Sequence, residues 1–366
     1  WVPIDNLYGP TRAERYQHLI SLARQANCNL LRVWGGGLIE RDLFYELCSQ
    51  NGIMVWQEFI QSSSAQCSIP PDDEDYLTLL AQNATAALLA KRNFPCLAVW
   101  SGGNELYGDG YRPLTESHPT LALLGNLVRK YSPEIPFLPT SASGPYEFLD
   151  PTRIGEGIHH DVHGPWKYAG PKHHYSLYNA SDSLFHSEFG VDGCAAVSSI
   201  QACLSKDALW PPTKHNMEWA HHGAAWWDQS IRNRQLFGEI RDLEQFVWAS
   251  QWIQAEGLRY AVEANRRRKF MCSGNIIWQL NEPFPNATCT SCVDYYGVPK
   301  MGYYWVGKAY APLHVSLKYD SLVLSPDEHI SQEVWIHNAY PNPQRGEVRW
   351  RVVTLDGTVI NAGACP

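Results

Sequence analysis

The sequence predicts an α/β protein: a (β/α)8 barrel of the TIM type followed by a partial immunoglobulin-like β-sandwich. Short apolar runs alternate with helical stretches up to Asn281, a rhythm that gives eight parallel strands closed on themselves. No Gly-rich fingerprint follows the first run, as a doubly wound open sheet would carry. After Ala311 the texture changes to apolar–polar alternation, the mark of half-exposed antiparallel strands. The expected domains are residues 1–311 and residues 312–366. A chain of 366 residues holds a barrel of roughly 250 residues and one small appendage.

Trp1 to Asp5 reads as the first strand. Thr11 to Asn27 follows with helical spacing of Tyr16, Leu19, Ile20, Ala23 and Ala26, and Thr11 with Glu14 fits a capping box. Leu30 to Gly35 is a buried-type strand and Ile39 to Gln50 a helix. Ile53 to Phe59 is the third strand, Tyr76 to Lys91 a helix, and Leu97 to Glu105 the fourth strand. Leu121 to Tyr131 is helical, and strands five, six and seven fall at Pro136–Ser141, Ile158–Gly164 and Leu184–Gly190. A long helical region, broken by the Trp-rich segment Trp210 to Trp227, runs to about Met271, and Asn275 to Asn281 is the eighth strand. Beyond Ala311, HVSLKYD, SLVLS, QEVWIHN and GEVRWRVVTL alternate, with turns at NPQRG and LDGT. About five strands are expected there, where a full sandwich has roughly seven.

Charge excludes some partners. The formal net charge is −8 and no Lys/Arg run exceeds the four residues Arg266 to Lys269, so neither nucleic acid nor an anionic membrane is an expected partner. No stretch of eighteen apolar residues suggests a span. Three N-x-S/T sequons, at Asn83, Asn179 and Asn286, lean toward a secreted protein. The chain opens on strand-like WVPID without a signal peptide, so the natural N-terminus is expected to have been lost or cleaved. Cys289 and Cys292 form a single CxxC, too few ligands for a structural zinc and better read as a loop disulfide or two thiols. HHDVH (His159 to His163) invites a metal reading, but strand alternation turns His160 away from His159 and Asp161. No metal and no cofactor are expected.

Function in such a barrel belongs at the C-terminal strand ends. Those ends carry Asp5, Arg32, Trp34, Glu58, Asn104, Glu105, Ser141, Asp161, His163, Glu188, Trp278 and Asn281. Fifteen Trp and nineteen Tyr mostly fill core, but Trp at strand ends suit stacking on sugar rings. Glu58, Glu105, Asp161, Glu188 and Glu282 are the candidate carboxyls. Strands four and seven face each other across the mouth of a closed eight-stranded barrel, which sets Glu105 opposite Glu188. Two carboxyls flanking one bond is the arrangement glycoside hydrolysis uses, and a gap of roughly 5–5.5 Å marks the retaining mechanism.

WSGGNEL around Glu105 and HSEFG around Glu188 resemble the signature segments of glycoside hydrolase family 2. RVWGGGLIERDLFYELCSQNGIMVWQEF (Arg32 to Phe59), WVPID, WQLNEPFP and DYYGVPKMGYY (Asp294 to Tyr304) are similar to its β-mannosidase-like members, in order, over residues 1 to about 312. The resemblance implies a retaining exo-acting β-glycosidase with a carbohydrate substrate, Glu105 as acid/base and Glu188 as nucleophile. It implies that Asn104 bonds the sugar 2-hydroxyl, and that Arg32 keeps Glu188 ionised through a charge-assisted bond. Trp278 is the expected platform under the ring and Trp34 a further contact. His163 is expected to touch a hydroxyl or orient Glu188, and Asp161 to meet an amino group if the sugar carries one. QEFIQSSS and NEPFP depart from the usual mannosidase pattern at the mouth. Exo-β-glucosaminidase and β-galactosidase-like specificities therefore stay open beside β-mannosidase. Family members usually carry N-terminal β-sandwich domains ahead of the barrel. A non-catalytic sugar-binding fragment that needs those domains is the remaining alternative.

Overall fold

The computed structural model describes residues 1–7, 12–63, 68–325 and 331–365. Its first 280 residues alternate helices and parallel strands. Helix α1 (Ala13–Gln25) leads to β1 (Leu30–Val33), α2 (Asp42–Asn51) to β2 (Met54–Glu58), and α3 (Glu74–Lys91) to β3 (Leu97–Ser101). Then come α4 (Pro119–Tyr131), β4 (Phe137–Leu138), β5 (Asp161–His163), α5 (His173–Ala180) and β6 (Phe185–Phe189). The long α6 (Leu243–Arg267), β7 (Asn275–Ile277) and α7 (Met301–Ala309) complete the alternation. The parallel strands form two sheets, β1-β2-β3-β4 and β7-β6-β5. Helices on their outer face and a shared apolar interior make this an α/β fold.

Local chemistry explains the boundaries. Gly52 ends α2 in the left-handed conformation (φ 66°), where its N–H bonds back to Ser49. Pro119 opens α4, a position where a missing N–H costs nothing. Asp242 caps α6 by accepting from the Gln245 N–H at 2.8 Å. Helix α6 is buried along most of its length, from Phe246 to Arg267, because α5, α7 and the strand wall all pack on it. The main core joins Leu31, Val33, Val55, Leu97 and Trp100 from the strands and Phe59 just after β2 to Leu19, Ile20, Phe44, Leu88, Leu124 and Leu258 from the helices. None of the helices described is long and apolar enough to cross a membrane.

Several expectations change. Trp1–Asp5 is not a ladder strand. Only Trp1 pairs, its amine donating to Arg32 O at 2.7 Å and its carbonyl accepting from Trp34 N at 3.1 Å. Pro3 has no N–H to continue, and the Val2 backbone is held instead by the Asn281 side chain. SLVLS is not a strand either: Ser321 Oγ bonds both the N–H and the carbonyl of Val323, a turn that consumes the groups a ladder needs. Helix α5 was not expected between strands six and seven. Thr11, half of the expected capping box, lies outside the described residues, and α1 starts after Arg12 with no side-chain cap. The region beyond Ala311 holds two antiparallel ribbons, Leu313–Lys318 with Glu333–Asn338 and Val348–Val353 with Val359–Cys365. That is four strands among the described residues, not five. Cys289 and Cys292 are both free thiols.

Candidate functional site

Arg32 is the hub. It lies next to the end of β1, is 3% exposed, and spreads its guanidinium over three partners on three other segments. Nε donates to Glu58 Oε1 at 2.7 Å, one Nη to Glu188 Oε2 at 2.5 Å, and the other Nη to Asn104 Oδ1. A planar fork with fixed donors can hold three groups in one plane, which a lysine could not. Glu58, at the end of β2, accepts from the Gly35 N–H at its second oxygen, at 2.7 Å. Burial pushes the Glu58 carboxyl above its usual range, against the pull of Arg32.

Glu188 sits near the end of β6 with both oxygens engaged. Arg32 holds one, and the Trp166 indole N–H donates to the other at 2.8 Å. Glu105, just past β3, has a different environment. Its Oε1 lies 3.0 Å from His163 Nδ1 and its Oε2 accepts from Ser63 Oγ at 3.2 Å. Among the described residues no cation bonds it directly. Burial raises its pKa, with Arg32 and Ser63 pulling the other way. Glu105 has φ +51°, a conformation that costs a non-glycine residue on the order of 1 kcal/mol; its N–H bonds Ser141 O at 2.5 Å. An oxygen of Glu105, an oxygen of Glu188 and a ring nitrogen of His163 all lie within 4.8 Å of one another.

His163, at the end of β5, is fully buried, and burial lowers its pKa to about 4, so the ring is neutral near pH 7. Its Nε2 is 3.0 Å from Ser141 Oγ. With the serine hydroxyl donating there, Nδ1 carries the proton and donates to Glu105. Asn104, next to Glu105, also donates to Ser62 Oγ at 3.1 Å. Asp161 lies two residues before His163 and accepts from Ser143 N–H at 2.7 Å and Ser143 Oγ at 2.9 Å. Its Oδ1 is buried with no partner. Trp34 and Trp278 meet edge to face, ring centroids 5.2 Å apart. Trp34 owes its pose to Gly36, where a Cβ would fall 2.1 Å from the indole ring.

Thus Arg32 bonds Asn104 and Glu188, His163 meets Glu105, and the two sets converge where Glu105, His163 and Glu188 approach within 4.8 Å. Trp34 and Trp278 form a separate aromatic pair, and Asp161 is bonded to Ser143 instead of to either glutamate. The other members of HHDVH are engaged elsewhere: His159 with Asp182 at 2.6 Å and His160 with Gly157 O at 3.1 Å. Sequence reasoning missed Trp166, Ser63 and Glu147. Trp166 follows a Gly-Pro turn right after a strand, a signal that could have been read; Gly164 takes φ +72°, and a Cβ there would fall 3.0 Å from the indole. Glu147 lies in the irregular loop GPYEFLD, where periodicity carries no information.

No protein-family model matches the chain. It is similar to β-mannosidase B of Aspergillus terreus, 26% identical over 97% of this chain and 44% of the relative, and to that of Aspergillus niger at 27% with the same coverage. Among solved structures it is similar to a β-D-mannosidase from Dictyoglomus thermophilum, with TM-score 0.77 and 25% identity over 100% of this chain and 44% of that one. The exo-chitosanase of Amycolatopsis orientalis shares the fold, with TM-score 0.67 and 18% identity over 97% of this chain and 41% of that one. The chain spans less than half the length of the curated relatives it matches.

Proposed function

We propose that this chain, a β-mannosidase-like member of glycoside hydrolase family 2, carries the catalytic barrel of a retaining exo-acting β-glycosidase. Glu105 is its acid/base and Glu188 its nucleophile. The observation that carries this reading is the carboxyl pair, close enough to flank one bond yet differently surrounded. In the first step Glu188 attacks the anomeric carbon while Glu105 gives its proton to the departing glycosidic oxygen. In the second, Glu105 takes a proton from water as that water displaces Glu188 and releases the sugar. The ion pair with Arg32 and the bond from Trp166 suit Glu188 to the charged role. The burial that raises the Glu105 pKa suits it to hold a proton. Asn104, beside Glu105 and anchored on Arg32 and Ser62, is the group for the 2-hydroxyl. Trp34 and Trp278 would meet the ring face.

The same reading joins the two sheets into one closed (β/α)8 barrel over residues 1–311. It is supported by the parallel bridges Asn104 to Ser141 and Phe148 to His163, by Gly144 N to Asp161 O at 3.2 Å, and by the Trp1 and Val2 bonds to Arg32 and Asn281. Residues 312–366 form a partial immunoglobulin-like β-sandwich. β-Mannosides are the first substrate class. Amino sugars are the second, with the Asp161 carboxyl, whose buried Oδ1 lacks a partner, as the group that would meet their ammonium. The test is a screen of 4-nitrophenyl β-mannoside, β-glucosaminide and β-galactoside. Release from the mannoside above the others supports the first reading. Sugar binding without release from any substrate would leave only the non-catalytic alternative, a barrel whose pocket other segments of a longer protein complete.

A further inference from the structure

The most unusual buried group outside the cluster is Glu147. Its side chain is 0% exposed in the loop after β4, between Tyr146 and Phe148 in the sequence. Its backbone ties two site segments together: its N–H donates to Tyr111 O at 2.9 Å, in the loop that follows Glu105, and its carbonyl accepts from the His163 N–H at 2.9 Å. Its carboxyl lies beside the His163 ring and bonds the segment that carries Ser141. Oε1 lies 3.9 Å from Nδ1, on the side that meets Glu105. The same oxygen accepts at 3.1 Å from the N–H of Ala142, the neighbour of Ser141, whose hydroxyl meets Nε2. Oε2 is buried and bonds nothing.

We propose that Glu147 is a positioning residue for the acid/base, bracing His163 in the one tautomer that donates to Glu105. This rests on the reading of Glu105 as the acid. The charged and titratable groups around Glu147 are Glu105, Asp161, His163 and Arg32. Burial first, and the charge of Glu105 second, hold the Glu147 carboxyl well above the usual carboxylate range. Burial thus favours its protonated, uncharged form. A neutral Glu147 leaves Glu105 as the one acceptor for the Nδ1–H, whereas a charged one would compete for that proton and favour an imidazolium. The His163 bond then occupies Oε1 of Glu105, and Oε2, beside Ser63 Oγ, is the oxygen that carries the proton the leaving group takes.

Two substitutions separate positioning from bulk. Glu147→Gln keeps the shape, the oxygen that meets Ala142 and the lack of charge. Glu147→Met keeps the length and volume but removes the acceptor. The first readout is 15N NMR of the His163 ring in the full chain. Wild type and Glu147→Gln are expected to show Nδ1 protonated and Nε2 bare, and Glu147→Met a mixture of tautomers. The second is hydrolysis of a good and a poor leaving group. Glu147→Met should lose about tenfold or more on the poor one, part of the roughly 10²–10⁴ that general acid catalysis supplies, and far less on the good one. Glu147→Gln should follow wild type on both. A Glu147→Gln variant as impaired as Glu147→Met would overturn the neutral brace, as would an unchanged tautomer in Glu147→Met. Equal loss on both leaving groups would reduce Glu147 to a structural residue. If wild-type protein hydrolyses nothing, the glycosidase reading fails, and the NMR comparison alone still decides whether Glu147 sets the ring.

Discussion

Replacing Arg32 by Met tests the hub of the site. Arg32 is the cation for two buried carboxyls: Glu58, whose side chain is 0% exposed, at 2.7 Å, and Glu188, 7% exposed, at 2.5 Å. Met fills most of the volume but leaves both acids and the Asn104 oxygen without their donor. Breaking one buried pair costs roughly 3–5 kcal/mol, because the abandoned charge has lost its water as well as its partner. Two are abandoned here, but Glu58 has an escape: burial already raises its pKa, so without Arg32 it takes a proton. A loss of about 3–5 kcal/mol at pH 8 is therefore expected, from a total of about 5–15 kcal/mol. The sign with pH follows. A carboxyl whose folded pKa is raised binds its proton more tightly in the folded state, so its stabilising share is present at low pH and is lost as pH rises. The deficit of the variant should be largest at pH 8 and smaller at pH 5. Urea unfolding followed by Trp fluorescence reads both values, and adding Glu58→Met should recover part of the loss. A deficit below about 1 kcal/mol at pH 8, or one independent of pH, would refute the argument that these charges are buried and mutually dependent.

Three further outcomes are expected. Glu105→Ala should lose on the order of 10²-fold or more in kcat on substrates with poor leaving groups and much less on activated aryl glycosides, measured as a plot of rate against leaving-group pKa. Gly36→Ala should raise KM with a smaller effect on kcat, since its Cβ displaces the Trp34 ring by position alone; steady-state kinetics read the split. His174, held neutral by burial with a pKa of about 4 and bonded to Gly257 O at 2.9 Å, favours the folded state fully above its unfolded pKa. As pH falls from 6.5 to 4 the wild type should lose roughly 3 kcal/mol relative to His174→Gln, followed by chemical denaturation across that range.

What the sequence disclosed follows from where the information lies. LLRVW, MVWQE and LFHSEF are apolar runs too short for helices and bounded by polar turns, so the strands they form could be located within a residue or two. Arg32, Asn104, Glu105, His163 and Glu188 stand out because each breaks such a run at its end, where a core residue would be apolar. The failures are of two kinds. At Trp1–Asp5 and SLVLS the pattern is apolar enough, but Pro3 withholds a donor and Ser321 diverts the backbone into a turn. At Ser63 and Glu147 there is no pattern to read, because irregular loops have no period and their side chains are placed by contacts from elsewhere in the chain; at Trp166 the only signal is the Gly-Pro turn before it. The alternation after Ala311 marks strands but not their pairing, which the turns and the four-residue NPQR stretch reorganise into two separate ribbons.

The most direct test of the central claim is covalent trapping. A 2-deoxy-2-fluoro β-mannoside with an activated leaving group should form a glycosyl-enzyme that turns over slowly, and peptide mass spectrometry should find the added sugar on Glu188. Glu188→Gln should take up no label, while Glu105→Ala should still be labelled. Label on Glu58, Glu105 or any other carboxyl, or steady hydrolysis by Glu188→Gln, would contradict the assignment.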